Sequence, residues 1–318
     1  MSPKVSIIFP VYNAAHFLPA AIESIKKQIY EDFECIAIDD GSTDESGKLL
    51  DTIAAKDSRW KIIHQANAGL VASLNTAIGL ARGTYIARMD ADDISLPERL
   101  QKQVEFLDSH KDVGIVGCSY GVINEAGHII GSEPVFFNDR DLRLSLLHTH
   151  TFAHGSVMIR ATVLNQVSQP PYQSAAGYVE DVDLWTRIAK ISRLAGLPEI
   201  LYLWRKNPDS ISHTKFQTQH QQVQAVYDRY RGAFSWIETI KTITWKTLNR
   251  YHTTQSIVQE QRVVLQYRRA ISYQLVQLGK LAGRSDLRES ARLLWFAFWL
   301  NPIFFLGGVF SKLRRKTS

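Results

Sequence analysis

Cysteine is scarce in this chain of 318 residues: it has two, Cys35 and Cys118. Both lie in apolar, strand-like contexts, and neither has a second Cys or a His at ligand spacing. That argues against a thiolate metal site or a disulfide framework and leaves core thiols. No secretory signal opens the sequence, because the run Val5-Ser6-Ile7-Ile8-Phe9 soon meets Pro10, so a cytoplasmic start is expected. Long apolar runs are missing too. The best candidate, residues 293–310, is broken by Asn301-Pro302, which disfavours one spanning helix of about 20 apolar residues. No basic, Gly-rich phosphate loop follows the first strand-like run, where Val11-Tyr12-Asn13-Ala14 stands, and no internal repeat is visible.

What is present describes a globular chain, 45% hydrophobic and 21% charged, long enough to bury a substantial core. Its net charge of +6 is unevenly spread. Residues 217–318 carry 16 Lys+Arg against 5 Asp+Glu, whereas residues 1–216 carry 21 against 26. A basic second part suits nucleic acid or anionic lipid. Its aromatics cluster with aliphatics instead of interleaving with Lys and Arg, so nucleic acid is not expected as a partner.

The first hundred residues alternate short β-branched runs with helical patterns. Residues 5–9, 33–38, 61–64 and 85–89 read as strands, and 17–28, 46–55, 70–81 and 96–109 as helices. Such alternation predicts an α/β fold, a mainly parallel sheet with helices on both faces. Short strands near 115–117, 156–159 and 201–203, with a turn at 124–127, suggest a mixed extension of that sheet. Ligands in such folds gather at the carboxyl ends of the strands.

Pro10-Val11-Tyr12-Asn13, Asp39-Asp40-Gly41-Ser42 and Asp90–Asp93 all fall at those ends, so three polar clusters converge on one rim, and a further acidic run lies at Glu180–Asp183. Asp90-Ala91-Asp92-Asp93 packs three carboxylates into four positions at a strand end, where they repel and raise one another's pKa unless a cation neutralises them. Oxygen ligands of this kind suit Mg2+ or Mn2+. An acidic turn capping the next helix is the plainer alternative. Asp39-Asp40-Gly41-Ser42 ends the second strand, and a carboxylate there can accept an N–H from a base or a ribose hydroxyl; a turn with helix capping explains Thr43, Asp44 or Ser46. Glu180-Asp181-Val182-Asp183 puts three acids in one helical turn, which by itself could just complement the helix dipole.

Together with Val5–Asn13, Asn67-Ala68-Gly69 and Gly83–Asp93, these clusters resemble glycosyltransferase family 2, with its GT-A fold, over about residues 4–212. The resemblance implies inverting transfer of a sugar from a nucleotide-sugar donor, UDP-sugar by default, to an acceptor hydroxyl. Pro10, Tyr12 and Asp40 would line the nucleoside pocket, with Asp40 facing the base, Asp39 supporting the turn and Asn67 beside them. Asp90 would hold ribose or the donor sugar and share the metal with Asp92, while Asp93 would brace the loop. Arg88 would neutralise the acidic floor, or form an ordinary salt bridge. Asp181 is the expected base, with Glu180 as its rival and Asp183 structural. His154, in Phe152-Ala153-His154-Gly155-Ser156, matches a family His near donor or acceptor, although a lone His is as well explained as a satisfied core group. Asn207 stands where the family often has His, which leaves closure of the metal shell open; His213 lies six residues on.

The expected organisation is a catalytic domain over residues 1–216 and a basic, aromatic-rich helical extension over 217–318. Two short interfacial helices within 293–316, ending in Lys312-Leu313-Arg314-Arg315-Lys316, would suit an anionic membrane surface at the inner face of the plasma membrane. A hairpin packed on its own domain is the alternative. A glycan or lipid-linked acceptor in cell-surface polysaccharide or glycolipid synthesis fits membrane attachment. A sugar nucleotidyltransferase, or a non-catalytic nucleotide-sugar-binding protein, are the competing functions.

Overall fold

The first strand, β1 (Val5–Val11), is buried along its whole length, as is β2 (Phe33–Asp39). Strands buried on both faces belong in the middle of a parallel sheet. The computed structural model, which describes residues 2–146, 151–207 and 216–232, places them there. β3 (Trp60–His64), β2, β1 and β4 (Tyr85–Arg88) are parallel neighbours in that order. Helices α1 (Leu18–Lys26), α2 (Ser46–Ala54) and α3 (Leu70–Leu80) make the crossovers. Because β2 and β3 lie on one side of β1 and β4 on the other, the strand order reverses between β1 and β4. A crevice opens at such a point beyond the strand ends.

Pro10 helps to open it. β1 stays paired with β2 as far as Val11↔Asp39, but its pairing with β4 stops at Ile8↔Arg88. The Ile8 carbonyl accepts from Met89 N–H at 3.2 Å, so it faces β4. Pro10, two residues on, turns its nitrogen the same way where β4 has ended, and no ladder bond is lost.

The rest of the sheet is mixed. β5 (Ile94–Ser95) pairs antiparallel with β9 (Arg193–Arg205), and β8 (Met158–Arg160) lies antiparallel between β4 and β6 (Val113–Ile123). β6 and β9 run parallel with three register shifts, and β7 (Ile129–Glu133) pairs only with the end of β6 among the described residues. All of β7 is exposed, so it lacks the alternation that marks a half-buried strand in sequence. The helix expected from residue 96 begins at Arg99 as α4 (Arg99–Ser109), since Pro97 disfavours helix before it and β5 takes the preceding residues. α5 (Asp139–Ser145), α6 (Ala161–Gln166) and α7 (Glu180–Ile188) follow, with short 3₁₀ turns at His154–Ser156 and Ser174–Val179.

The core runs through β1, β2, β4, α1 and α4 into β6 and β9, and includes the free thiols of Cys35 and Cys118. The compact unit that contains the sheet continues to Gly232, past the boundary at residue 216 that composition suggests. The cause is α8 (Phe216–Gly232), whose Val223, Val226 and Tyr227 pack with Val179 and Val182. No helix among the described residues is long and apolar enough to cross a membrane. Residues 293–316, expected at a membrane surface, lie outside the described residues, as does His213.

Glu34 ties the start of β2 to its neighbours. Burial would raise its pKa, but donors from Lys61 (2.8 Å), Arg82 (2.8 Å) and Ser6 (2.7 Å) prevail and hold it at about 2, below the ordinary 4.5. This stabilisation is present above the unfolded value of 4.5 and is lost as pH falls from there towards 2. Glu34→Gln should therefore cost about 1–3 kcal/mol at neutral pH. In urea denaturation the difference from wild type should shrink as pH drops below 4.

Candidate active site

The loops after β1 and β2 are stitched together at the mouth of the crevice. Asn13, with φ of 46°, accepts from Thr43 N–H at 2.8 Å, and its own N–H donates to Ser42 Oγ at 3.1 Å. Gly41 has φ of 73°, and a Cβ there would sit 2.7 Å from the Asn67 nitrogen, so the turn requires glycine. Asp39 accepts from Ser42 N–H at 3.0 Å and meets His64 Nδ1 at 2.8 Å. His64 also reaches Asp51 at 3.0 Å, and these two carboxylates raise its pKa. Asp40, 4% exposed, accepts from Gln65 Nε2 (2.7 Å), Ala68 N–H (2.9 Å) and Gly69 N–H (2.8 Å). It thereby fixes the loop that leads into α3 and keeps one of about four acceptor positions. Tyr12, at 52% exposure, and Asn67 are exposed here, and Pro10 is buried.

The floor is made where β4 ends. Arg88 is 1% exposed; its guanidinium donates to Asp90 Oδ1 at 2.6 Å and to the Met89 carbonyl, while its Nε is buried without a partner. Asp92 is pushed up to about 6 by burial and then by the charge of Asp90. Asp93 is raised well above the carboxylate range by burial and by both neighbouring acids. Its oxygens accept from Tyr202 O–H at 2.7 Å and Arg205 N–H at 2.6 Å. The Arg205 guanidinium in turn donates to the carbonyls of Asp92 (2.6 Å), Asn124 (3.0 Å) and Glu125 (2.8 Å) and lies over the Phe17 ring. Below, Arg99 donates to the Arg88 carbonyl at 2.8 Å and covers the Tyr202 ring. Among the described residues no three His, Cys, Asp or Glu side chains form a ready metal cage.

The far wall is the first turn of α7. Glu180 is buried, and burial followed by the charge of Asp181 raises it to about 8; Arg88 and Asp90 also act on it. Asp181 accepts from Val182 N–H at 2.7 Å. Asp183 instead points into ion pairs with Arg187 (2.8 Å) and Arg229 (3.2 Å). His154 lies 2.8 Å from Tyr172 Oη and 3.8 Å from Glu180 Oε1, with its ring edge-on to Trp185. Burial and then the charge of Arg88 hold the imidazole well below its usual pKa. The fold thus brings Arg88, Asp90, Asp92, His154 and Glu180 within electrostatic reach of one another beyond the end of β4, with Asp181 beside Glu180, and sets Pro10, Tyr12, Asp39, Asp40 and Asn67 at and after the ends of β1, β2 and β3.

A family model described as Glycosyl transferase family 2 matches residues 6–168. EpsE of Bacillus subtilis (strain 168), which bears a glycosyltransferase name, is 36% identical over 245 residues, covering 72% of this chain and 82% of EpsE. The chain belongs to glycosyl transferase family 2. A Haemophilus influenzae glycosyltransferase is 32% identical over 236 residues, covering 70% of this chain and 72% of its own length. Among solved structures, S. aureus TarS 1–349 in complex with UDP superposes with a TM-score of 0.57 at 17% identity, covering 96% of this chain and 92% of TarS 1–349. That likeness identifies the fold of this glycosyltransferase as GT-A.

Sequence patterns pass over four residues of the glycosyltransferase's crevice: Tyr202, Arg205, Tyr172 and Arg99. Tyr202 and Arg205 reach Asp93 across more than a hundred positions, a separation no local pattern encodes. Asn207 follows β9 and is half-buried. Tyr202→Phe keeps the ring beside Arg99 but removes the donor to Asp93, leaving a buried acceptor short of a partner. It should cost about 1–3 kcal/mol in urea denaturation.

Proposed function

We propose that this glycosyltransferase moves a sugar from a UDP-sugar to an acceptor hydroxyl with inversion at the anomeric carbon. The observation that carries the reading is the acidic floor at the end of β4, in the switch-point crevice, facing acids on the first turn of α7. The crystal structures of TarS, which shares this fold, in complex with UDP and with UDP-GlcNAc support a uridine nucleotide-sugar as donor. Tyr12 and Asn67 would contact the nucleoside, over a mouth shaped by Pro10, Asp39 and Asp40. Asp90, oriented by Arg88, would take the ribose or the donor sugar.

Asp92 is the fitting residue for a divalent cation, because a carboxylate crowded by Asp90 and desolvated gains most from one. Mg2+ and Mn2+ are held by few protein carboxylates together with substrate phosphates, so Asp92 with Asp90 is an adequate set. Such an ion would offset the charge gathering on the departing diphosphate.

Asp181 would remove the proton from the acceptor hydroxyl. The acceptor oxygen then bonds to the anomeric carbon as the carbon–oxygen bond to the diphosphate breaks and its electron pair leaves with the nucleoside diphosphate. Glu180, raised to about 8, keeps its proton at neutral pH and is the poorer acceptor. A glycan or lipid-linked acceptor in surface polysaccharide or glycolipid synthesis, with attachment to the inner face of the plasma membrane through residues 293–316, completes the reading.

Asp181→Asn should lower transfer from a UDP-sugar by at least ~100-fold, in line with loss of a general base, while UDP affinity stays within about twofold. A radiolabelled panel of UDP-sugars against membrane-extracted acceptors, with UDP calorimetry, checks both. Wild-type transfer by Asp181→Asn would remove this residue from the mechanism.

A further inference from the structure

The 3₁₀ turn His154–Ser156 stands between the two acidic walls of the crevice. On one side is Gly155: a Cβ there would lie 2.9 Å from Asp90 Oδ2 and collide with the Tyr202 hydroxyl. On the other is the His154 ring, 3.8 Å from Glu180. Its second nitrogen is 2.8 Å from the Tyr172 hydroxyl. Tyr172 is itself clamped by one side chain, since its N–H donates to Asn75 Oδ1 at 3.1 Å and its carbonyl accepts from Asn75 Nδ2 at 2.8 Å. Asn75 belongs to α3, the helix whose start is fixed by Asp40. Trp185, one α7 turn beyond Asp181, packs edge-on against the same imidazole.

We propose that Asn75, Tyr172 and His154 form a strut from the donor side of the fold to α7, and that His154 is a positioning residue which sets Glu180 and the adjoining Asp181 relative to Asp90. This rests on the reading of Asp181 as the base. Tyr172 holds its proton, because burial raises its pKa, and in the tautomer this proposal assigns its hydroxyl donates to His154 Nε2. The neutral ring then carries its proton on Nδ1, the nitrogen that faces Glu180. A gap of 3.8 Å is too long for a hydrogen bond, and such contacts commonly tighten when substrate closes the site. In this proposal His154 acts through the acid it locates.

The test uses the full chain with Mn2+ and a panel of UDP-sugars, in wild type, Tyr172→Phe, His154→Asn and His154→Ala. Misplacement of a catalytic group should lower kcat about 10-fold in Tyr172→Phe and about 100-fold in His154→Ala, with the KM for UDP-sugar within about twofold. His154→Asn, whose amide can donate near the Nδ1 position, should recover at least about 5-fold of the kcat lost in His154→Ala. Amide exchange in Glu180–Ile188 should quicken in Tyr172→Phe while UDP affinity is retained. Parallel changes in KM and kcat, no recovery in His154→Asn, or unchanged exchange in Glu180–Ile188 would each overturn the strut. A wild-type chain that neither binds UDP nor turns over any UDP-sugar would defeat the proposed reaction instead, and the exchange of α7 in Tyr172→Phe would then decide the strut alone.

Discussion

The ion pair between Arg88 and Asp90 is the interaction on which the crevice depends. A guanidinium taken out of water is costly unless paired, and Arg88 sits inside the sheet with its N–H bonded to the Val157 carbonyl at 3.0 Å. Among the described residues its only carboxylate contact within hydrogen-bond distance is Asp90, at 2.6 Å. Asp90 is therefore held against the end of β4 and not left to swing in solvent. The same positive charge acts, after burial, on Glu180, His154, Tyr172 and Tyr202, so Arg88 is felt on both walls.

From that anchor the three acids of Asp90-Ala91-Asp92-Asp93 separate into different physical states. Asp90 is paired. Asp93 is satisfied by Tyr202 and Arg205 and belongs to the scaffold. Asp92 has burial and a like charge beside it, which is the condition a bound cation relieves. α7 shows a parallel division, with Asp183 locked to Arg187 and Arg229, and Glu180 turned towards His154 and the field of Arg88 and Asp90.

Much of this was legible in the sequence, for a local reason. β-branched runs such as Val5–Phe9 and helical patterns between them report burial directly, so β1 to β4 and their crossovers were readable within a few residues. The acidic clusters could be read because each is contiguous and falls at a strand end or helix start. What escaped depends on distance or on weak patterning. Tyr202 and Arg205 join the floor from the other end of the domain, β7 is exposed throughout, and α8 packs through three apolar residues in a Gln-rich helix. Asp40 accepts from Gln65, Ala68 and Gly69, partners that nothing in Asp39-Asp40-Gly41-Ser42 reveals, because the run does not show which way each carboxylate turns.

The central claim is that the crevice holds a nucleoside diphosphate with a cation carried by Asp92. Calorimetric titration of UDP into wild type and Asp92→Asn, each with Mn2+ and with chelator, tests it most directly. The account predicts one saturable site in wild type, about 10-fold or more tighter with Mn2+, and loss of that Mn2+ effect in Asp92→Asn. Equal UDP affinity with and without Mn2+ in wild type, or an undiminished Mn2+ effect in Asp92→Asn, would contradict it.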